Sequence, residues 1–554
     1  MMRKRQRSSK SFNEDQLRKQ VDRALSKPSY QTYPADSGSS LNGGSALEWS
    51  HADTDTVHSE VFKRALYLRS NMESLHSVLI SYKNQYEAKY PDAGTVRVKN
   101  SVTAIMSNTF TINVTATCVD TLSSKLTKDM PRLKYIPRTD DYSRRKAVQL
   151  TEEFINNHSR YANLDAVATE ALTDSLKYGT GIIHLTYNPK TCKVMYETVK
   201  PYEIFFDVEL AGYDKHEDIH IVKVDSKGSL ARRYPEYKDL IYKSQSSSLF
   251  THISVGNSSF AKDAVICIES YSKISGRHTI CVESVCLLDE DWEYENKYGD
   301  VDFPIAVMRY EDNDRHFYGR GVSEILKQYQ SLITTHINTV MSCVRLAVPA
   351  VYVQSGSKVR PSAFNDAIGN IIQYDGSIPP TPGKIYEIPM ETYQIVERLR
   401  ESALAEVGLS QLSANSSIPV GLANASGKAL ETHFNIESDR FTTVSKGFER
   451  LVIDVSEKTI MYMSMLDKTE TENVSNSKYY SDSLSRLIKW GDITKDLQEL
   501  EIQGYPISSI PDSPEGRLNY VQQLIAIGAI DQQAALRLLE LPDTEGYYNE
   551  ISAD

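Results

Sequence analysis

Two amphipathic helical runs separated by a proline-rich insert constrain this chain more than any other feature. From Gly321 to Leu346 the apolar residues Val322, Ile325, Leu326, Tyr329, Leu332, Ile333, Ile337, Val340, Met341 and Val344 recur at steps of three and four. That spacing puts them on one stripe of a long α-helix opened by Gly319-Arg320-Gly321. Ala347 to Pro389 then holds six of the 20 prolines and the glycines 356, 369, 376 and 383. Proline fixes φ and removes a donor, so this insert is a small turn-rich subdomain between helices. Helical spacing resumes at Met390 and runs to Val407 through Val396, Leu399 and Ala403. An apolar stripe of this length needs neighbours to cover it.

The flanks of that unit differ from each other. Residues 1–50 form a basic arm, Arg3-Lys4-Arg5-Gln6-Arg7, and a Ser/Gly-rich stretch, which reads as a mobile tail. From Thr56 to Tyr90 the residues Val61, Leu68, Leu75, Val78, Leu79 and Tyr82 keep helical spacing up to Pro91. Ala147–His158 and Leu164–Tyr178 also read as helices, and Gly179-Thr180-Gly181 stops the second and starts strands. Strand-like runs lie at Ile182–Tyr187, Val194–Val199, Glu203–Asp207, Ile219–Val224, Val265–Ser272 and His278–Leu288. The acidic stretch Asp289 to Glu295 reads as a solvated hairpin tip rather than a cation site.

Beyond the second helical run, Val407 to Gly427 contains no charged residue, although 24% of the chain is charged. This is a neutral Ser/Asn/Ala/Gly loop around Pro419. Leu430, Phe434, Glu437, Phe441, Val444, Phe448, Leu451 and Val455 then form a heptad-like seam, which predicts a long helix from Gly427 to Leu466. The tail ends in a predicted αα-hairpin, with Ser513 and Asp531 as caps and Pro542 as the stop.

Composition and motifs exclude several functions. The 554 residues carry 62 Lys and Arg against 73 Asp and Glu, a net charge of −11, which argues against a basic saddle for nucleic acid. No apolar run approaches the length of a membrane span, and residues 1–30 lack the apolar core of a secretory leader. The six cysteines contain no CxxC pair, so neither a disulfide framework nor a zinc module is expected, and Cys281 and Cys286 near His278 read as ordinary strand packing. Gly421 to Lys428 resembles a phosphate loop but has one residue too many between its glycines, and Ala429 stands where a Mg²⁺-binding hydroxyl belongs. Gly179-Thr180-Gly181 follows a helix and lacks a third glycine, so it is a turn and not a dinucleotide site. No catalytic, cofactor or metal residue is expected, and no enzyme activity. The 34 tyrosines, against 14 phenylalanines, suit half-wet subunit interfaces.

Several strings share one resemblance. Phe317-Tyr-Gly-Arg-Gly-Val-Ser-Glu-Ile-Leu-Lys-Gln-Tyr-Gln330, continuing to Asn338 and to Val348-Pro-Ala-Val-Tyr-Val353, resembles the portal, or head-to-tail connector, proteins of tailed bacteriophages. Tyr178-Gly-Thr-Gly-Ile-Ile183 and Val199-Lys-Pro-Tyr-Glu-Ile-Phe-Phe-Asp207 are similar to that family's wing. Met130-Pro131 and Ile510-Pro-Asp-Ser-Pro-Glu-Gly516 are similar to portals of short-tailed phages. The ordered combination, over roughly residues 56–545, carries the resemblance.

The resemblance implies a mixed α+β, helix-dominated fold assembled as a ring, typically a dodecamer, at one capsid vertex. It divides the chain into an arm (1–50), a wing (51–320), a first stem helix (321–346), a clip (347–389), a second stem helix (390–409), a tunnel loop (410–426), a long wing helix with connector (427–478) and a helical crown (479–554). The stem would include Gly321, Gln330, Asn338 and Arg398. The tunnel loop would face double-stranded DNA through Ser410, Ser413, Asn415, Ser416, Ser417, Asn424 and Ser426. The clip would meet the terminase large subunit through Lys358, Arg360, Asp366, Asp375, Lys384 and Glu387. Major capsid, scaffolding and neck or tail adaptor proteins would be further partners, with assembly in the host cytoplasm, residence in the virion and no membrane contact. The readings that compete are a DNA-binding assembly protein using the arm and terminal hairpin, and another ring component of the neck or tail.

Overall fold

The computed structural model describes residues 45–89, 111–244 and 263–346 apart from short breaks, 350–352, 381–383, 390–409, 441–468, much of 478–505, and positions 377, 521, 522 and 525. In chain order, helices Ala46–Ser50 (α1), Val57–Asn71 (α2), Glu73–Tyr86 (α3) and Val114–Thr127 (α4) lead to strand Arg132–Pro137 (β1). Helices Tyr142–Tyr161 (α5) and Leu164–Tyr178 (α6) follow, then strands Thr180–Asn188 (β2), Lys193–Val199 (β3), Ile204–Phe205 (β4) and Asp218–Ser226 (β5). Short helices Lys227–Arg233 (α7) and Lys238–Lys243 (α8) precede strands Ala264–Ser272 (β6), Arg277–Val282 (β7), Val285–Asp291 (β8) and Ile305–Arg309 (β9). The long helix Val322–Leu346 (α9), a strand pair Ala350–Tyr352 (β10) and Thr381–Gly383 (β11), and helices Met390–Val407 (α10) and Thr442–Lys468 (α11) come next. Strands Lys478–Ser481 (β12), Arg486–Lys489 (β13) and Leu500–Tyr505 (β14) close the series.

The helices form where apolar periodicity and caps agree. Asn113 accepts from Ala116 N to start α4, Asp141 accepts from Ser143 N to start α5, and Gly179 ends α6 in the left-handed region at φ +89°. The predicted helix from Thr56 to Tyr90 is instead two helices that meet at Met72, with the second ending at Tyr86. Met72 is fully buried in the main core beside Leu68, and its N–H still reaches Leu68 O at 3.0 Å, so burial turns the corner without Gly or Pro.

Five antiparallel strands in the order β4-β5-β6-β7-β8 form one sheet, and β3-β2-β9 form another. The larger sheet buries both faces. Ile219, Ile221, Ile266 and Ile268 join the main core, while Val265, Cys267, Val282 and Leu287 pack with Leu230 of α7 and Ile241 of α8. The predicted run His278–Leu288 is a hairpin, since Val282 pairs with Val285 and leaves Glu283-Ser284 at its turn. The acidic stretch after it is no solvated tip. Residues 289–291 continue β8, both Asp289 oxygens accept from the Arg277 guanidinium at 2.7 Å, and Trp292 is buried with Nε1 donating to Asp302 O.

A second correction falls on the region read as helical from 479. Its described part contains strands, because β14 pairs antiparallel with β1, from Arg132 opposite Tyr505 to Pro137 opposite Leu500. The β12-β13 hairpin places Tyr479, Ile488 and the adjoining Trp490 in the core, with Tyr479 and Trp490 against Phe154 of α5. The alternation Leu500, Ile502 inward and Glu501 outward is a period of two, which overrides any helical reading. The described part of the seam helix begins at Thr442, and 410–440 lie outside the described residues.

Candidate functional site

The root of α9 is where the two glycine pairs of the sequence meet. Gly319 N donates to Thr180 Oγ1 at 2.9 Å, and Tyr310 N donates to Gly179 O at 3.1 Å. A Cβ on Gly179 would lie 2.0 Å from Gly319 O, and one on Gly321 would lie 2.6 Å from Gly179 N. Gly181 is closed in the same way, since its Cβ would lie 1.9 Å from Ala171 O of α6. Backbone therefore touches backbone, and only glycine permits that approach. Tyr318, between the pairs, donates to Pro201 O and Ile204 O, and Phe317 packs on Phe206 with ring centroids 4.3 Å apart.

Over the first two to three turns of α9, from Ser323 to Gln330, a buried amide network ties the helix to α3 and α4. Gln330 Oε1 accepts from Val114 N at 2.9 Å and Thr115 N at 3.3 Å, two of the N–H groups that α4 leaves unpaired at its start. Gln330 Nε2 donates to Ile112 O at 2.8 Å. Gln85 Nε2 donates to Ser323 O at 3.1 Å and Thr115 Oγ1 at 2.8 Å, and Asn113 Nδ2 donates to Tyr86 O at 2.6 Å. Both Gln330 amide groups and the Gln85 Nε2 are used inside a low-dielectric junction, so the network fixes the position of the helix root.

Of the predicted stem residues, Gly321 and Gln330 are buried in this junction, Asn338 is half-buried further along α9, and Arg398 is exposed on α10. All the predicted residues of the neutral loop and of the proline-rich insert lie outside the described residues. Ile333, Ile337 and Val340 of α9 and Val396, Ala403, Leu404 and Val407 of α10 are buried. Leu332 and Met341 of α9 and Tyr393 and Ile395 of α10 remain exposed, at 47%, 40%, 48% and 42%. Sequence reasoning passed over Gln85 and read Asn113-Val-Thr115 only as a formal glycosylation sequon of little meaning; all three gain a role once α3, α4 and α9 converge.

Two buried ionic clusters brace the strands beneath. Asp218 Oδ2 accepts from Trp49 Nε1 at 3.0 Å, Arg64 Nε at 2.9 Å and His220 Nε2 at 3.1 Å, while Oδ1 accepts from Arg64 Nη2 at 3.0 Å. Burial opposes the Asp218 charge, but the His220 and Arg64 hydrogen bonds outweigh it and hold the carboxyl far below its usual range. In the other cluster His278 stacks on Tyr271, donates to Glu290 Oε1 at 2.7 Å and faces Glu269 Oε1 at 3.2 Å. Burial again opposes charge, but the two carboxylates raise His278 to about 9.

The same surroundings set a pH prediction. Glu269 also faces His184 at 3.9 Å and Lys223 at 3.5 Å, and Lys223 reaches Glu197 at 2.7 Å. Because the folded value of His278 lies above the unfolded one, its contribution is complete below pH 6.5 and is lost as pH rises through about 9. We expect the unfolding temperature to fall between pH 7 and pH 10, with on the order of 3 kcal/mol at stake, and His278→Gln to flatten that fall. Calorimetry of both proteins across the range checks it; parallel curves would remove His278 as the cause.

A groove of about 500 Å³ beside α11 is lined by Asp214, Asp302, Asp454 and Glu457 and by Arg309, Arg450 and Lys458. With Asp312 the groove holds five carboxylates against three cations, and Lys458 pairs with Asp454 at 3.1 Å. Among the described residues no group of three His, Cys, Asp or Glu side chains is arranged to hold a metal ion, and no helix is long and apolar enough to cross a membrane.

Residues 96–318 match the family model described as Phage P22-like portal protein. Over these residues the chain is similar to P22-like portal proteins. The matched region runs from before α4 through both sheets and stops one residue short of Gly319, so it contains Gly179-Thr180-Gly181 and α4, though not Gln85 of α3, among the groups on which α9 is rooted. Comparison with curated proteins finds no match. The resemblance read from the sequence to portals of short-tailed phages is thus shown, and the mixed helix and strand architecture agrees with it.

Proposed function

We propose that the chain closes with about eleven further copies into a ring at one capsid vertex, and that the ring is the conduit for DNA entering and leaving the phage head. The observation that carries this reading is the rigid fusion of a portal region to α9. The helix leaves that region through a glycine-locked joint and, with α10, keeps Leu332, Met341, Tyr393 and Ile395 exposed for a neighbour. Tyr142 and Tyr298, 80% and 79% exposed, offer further large amphipathic contacts. The helices α9 and α10 together hold five acidic and four basic residues, and a nearly neutral wall does not grip phosphate.

In this reading α9 and α10 are the stem and residues 347–389 are the clip that docks the terminase large subunit, then neck or tail adaptors. The uncharged loop from Ser410 to Ser426 lines the constriction. The ring hydrolyses no nucleotide; that chemistry belongs to its motor partner. Capsid and scaffolding proteins surround the wing in the virion.

The loop assignment has its own test. A lysine at position 416 in every copy would add one positive charge per subunit facing the phosphates, and each phosphate engaged steepens the salt dependence of binding by about one power of salt concentration. Ser416→Lys is therefore expected to retain DNA at low salt and release it as salt rises, whereas Ser416→Gln behaves as the parent protein. Packaging and ejection assays at two ionic strengths compare them, and equal behaviour of the two variants removes the loop from the DNA path.

A further inference from the structure

The β7-β8 hairpin brings two thiols together that the portal reading does not use. Cys281 pairs with Cys286 across the hairpin, next to a register shift between Ile280 and Cys281; both side chains lie in the main core, and Cys286 Sγ donates to Leu288 O at 3.0 Å. Directly opposed antiparallel residues have Cα atoms about 4.5–5.5 Å apart, and a disulfide takes Cα separations of about 4.4–6.8 Å. A paired position of this kind is within reach of a bridge, and both sulfurs are free.

Access and reactivity also favour this pair. β8 is the edge strand of its sheet, so a local opening that frees Cys286 breaks pairing with β7 alone. Cys286 keeps 7% of its surface exposed on that edge strand while Cys281 keeps none, which makes Cys286 the first to meet a reagent. By contrast Cys118 is buried on α4 and raised by burial to about 12.

We propose that Cys281 and Cys286 form a reversible redox pair that closes to a cross-strand disulfide on meeting a low-molecular-weight disulfide such as oxidised glutathione. The Cys286 thiolate attacks one glutathione sulfur, breaking that S–S bond and expelling one thiolate. Cys281, giving its proton to the expelled thiolate, then attacks the Cys286 sulfur of the mixed disulfide, forms the Sγ–Sγ bond and releases the second glutathione, which takes up a proton. Two protein thiols are oxidised and one glutathione disulfide is reduced to two thiols. The bridge staples the strand whose Asp289 accepts from Thr54 Oγ1 at 3.0 Å and holds Arg277, itself donating to Ala52 O at 2.7 Å. Closing it thus secures the chain between α1 and α2 to the sheet, and this follows from the hairpin whether or not the chain forms a portal.

The test uses the folded full-length protein. After incubation with excess oxidised glutathione, acid quenching and alkylation in denaturant, trypsin cuts after Arg277 and Lys297, so both cysteines fall in one peptide without any other. The expected result is more than half of that peptide free of alkyl groups and lighter by two hydrogens than its reduced form, with Cys118 still alkylated and dithiothreitol reversing the change. Cys281→Ser should instead trap a glutathione adduct on Cys286. Recovery of the wild-type peptide with both cysteines alkylated, or with glutathione retained on one of them, overturns the proposal.

Discussion

Gly179→Ala is expected to cost the protein about 3–5 kcal/mol, among the largest effects of any single methyl group in the chain. Two terms add. The residue sits at φ +89°, where an L side chain loses about 1–2 kcal/mol, and its Cβ would lie 2.0 Å from the carbonyl oxygen of Gly319. Relief cannot come from a rotamer change, because the obstacle is backbone that is itself tied by the Gly319 N to Thr180 Oγ1 bond. Either α6 loses its cap or α9 moves off its root. Gly228→Ala is the control, since nothing lies within 4 Å of its would-be Cβ in α7, and it should change stability by less than about 1 kcal/mol. Thermal unfolding of the three proteins decides; a Gly179→Ala protein as stable as Gly228→Ala would mean that the glycine crossing does not hold the helix.

Asp218→Asn should be comparably severe. The carboxylate accepts four hydrogen bonds from Trp49, Arg64 and His220 with the Arg64 guanidinium nearly enclosed, and an amide in its place turns a donor toward donors and leaves that charge uncompensated. Breaking a buried pair in this way costs about 3–5 kcal/mol, whereas replacing both partners by apolar groups costs far less. The double variant Arg64→Met, Asp218→Leu is therefore expected to be more stable than Asp218→Asn alone. Acid provides a second readout. Asp218 lies below its ordinary 3.8 in the folded protein, so its contribution is complete above that pH and is lost as pH falls below it through the folded value. The single variant should lack that share of the acid sensitivity. Denaturant titration of the three proteins measures the order, and a double variant less stable than the single would show that the ion pair is worth more than its desolvation.

What could be read from the sequence was whatever neighbouring residues determine. Leu164–Tyr178 and Met390–Val407 have the ends that the sequence predicts, because Gly179 caps one helix and the apolar stripe bounds the other. The corner at Met72 escaped, since neither Gly nor Pro marks it and core burial alone turns the chain. The Glu283-Ser284 turn lacks an Asn-Gly signature, so two strands read as one. β14 needs β1 from the far side of the chain, a partner that no local pattern names. The site was legible as two separate glycine pairs and one glutamine; their meeting, across 139 residues between Thr180 and Gly319, is a property of the fold.

The central claim is that the portal region and its rooted helix pair close into a ring, and native mass measurement of the purified full-length protein tests it most directly. With a chain of 62.5 kDa, a ring of about twelve copies has a mass of about 750 kDa. The account predicts a closed species near that mass, and only monomers or dimers at every concentration would contradict it.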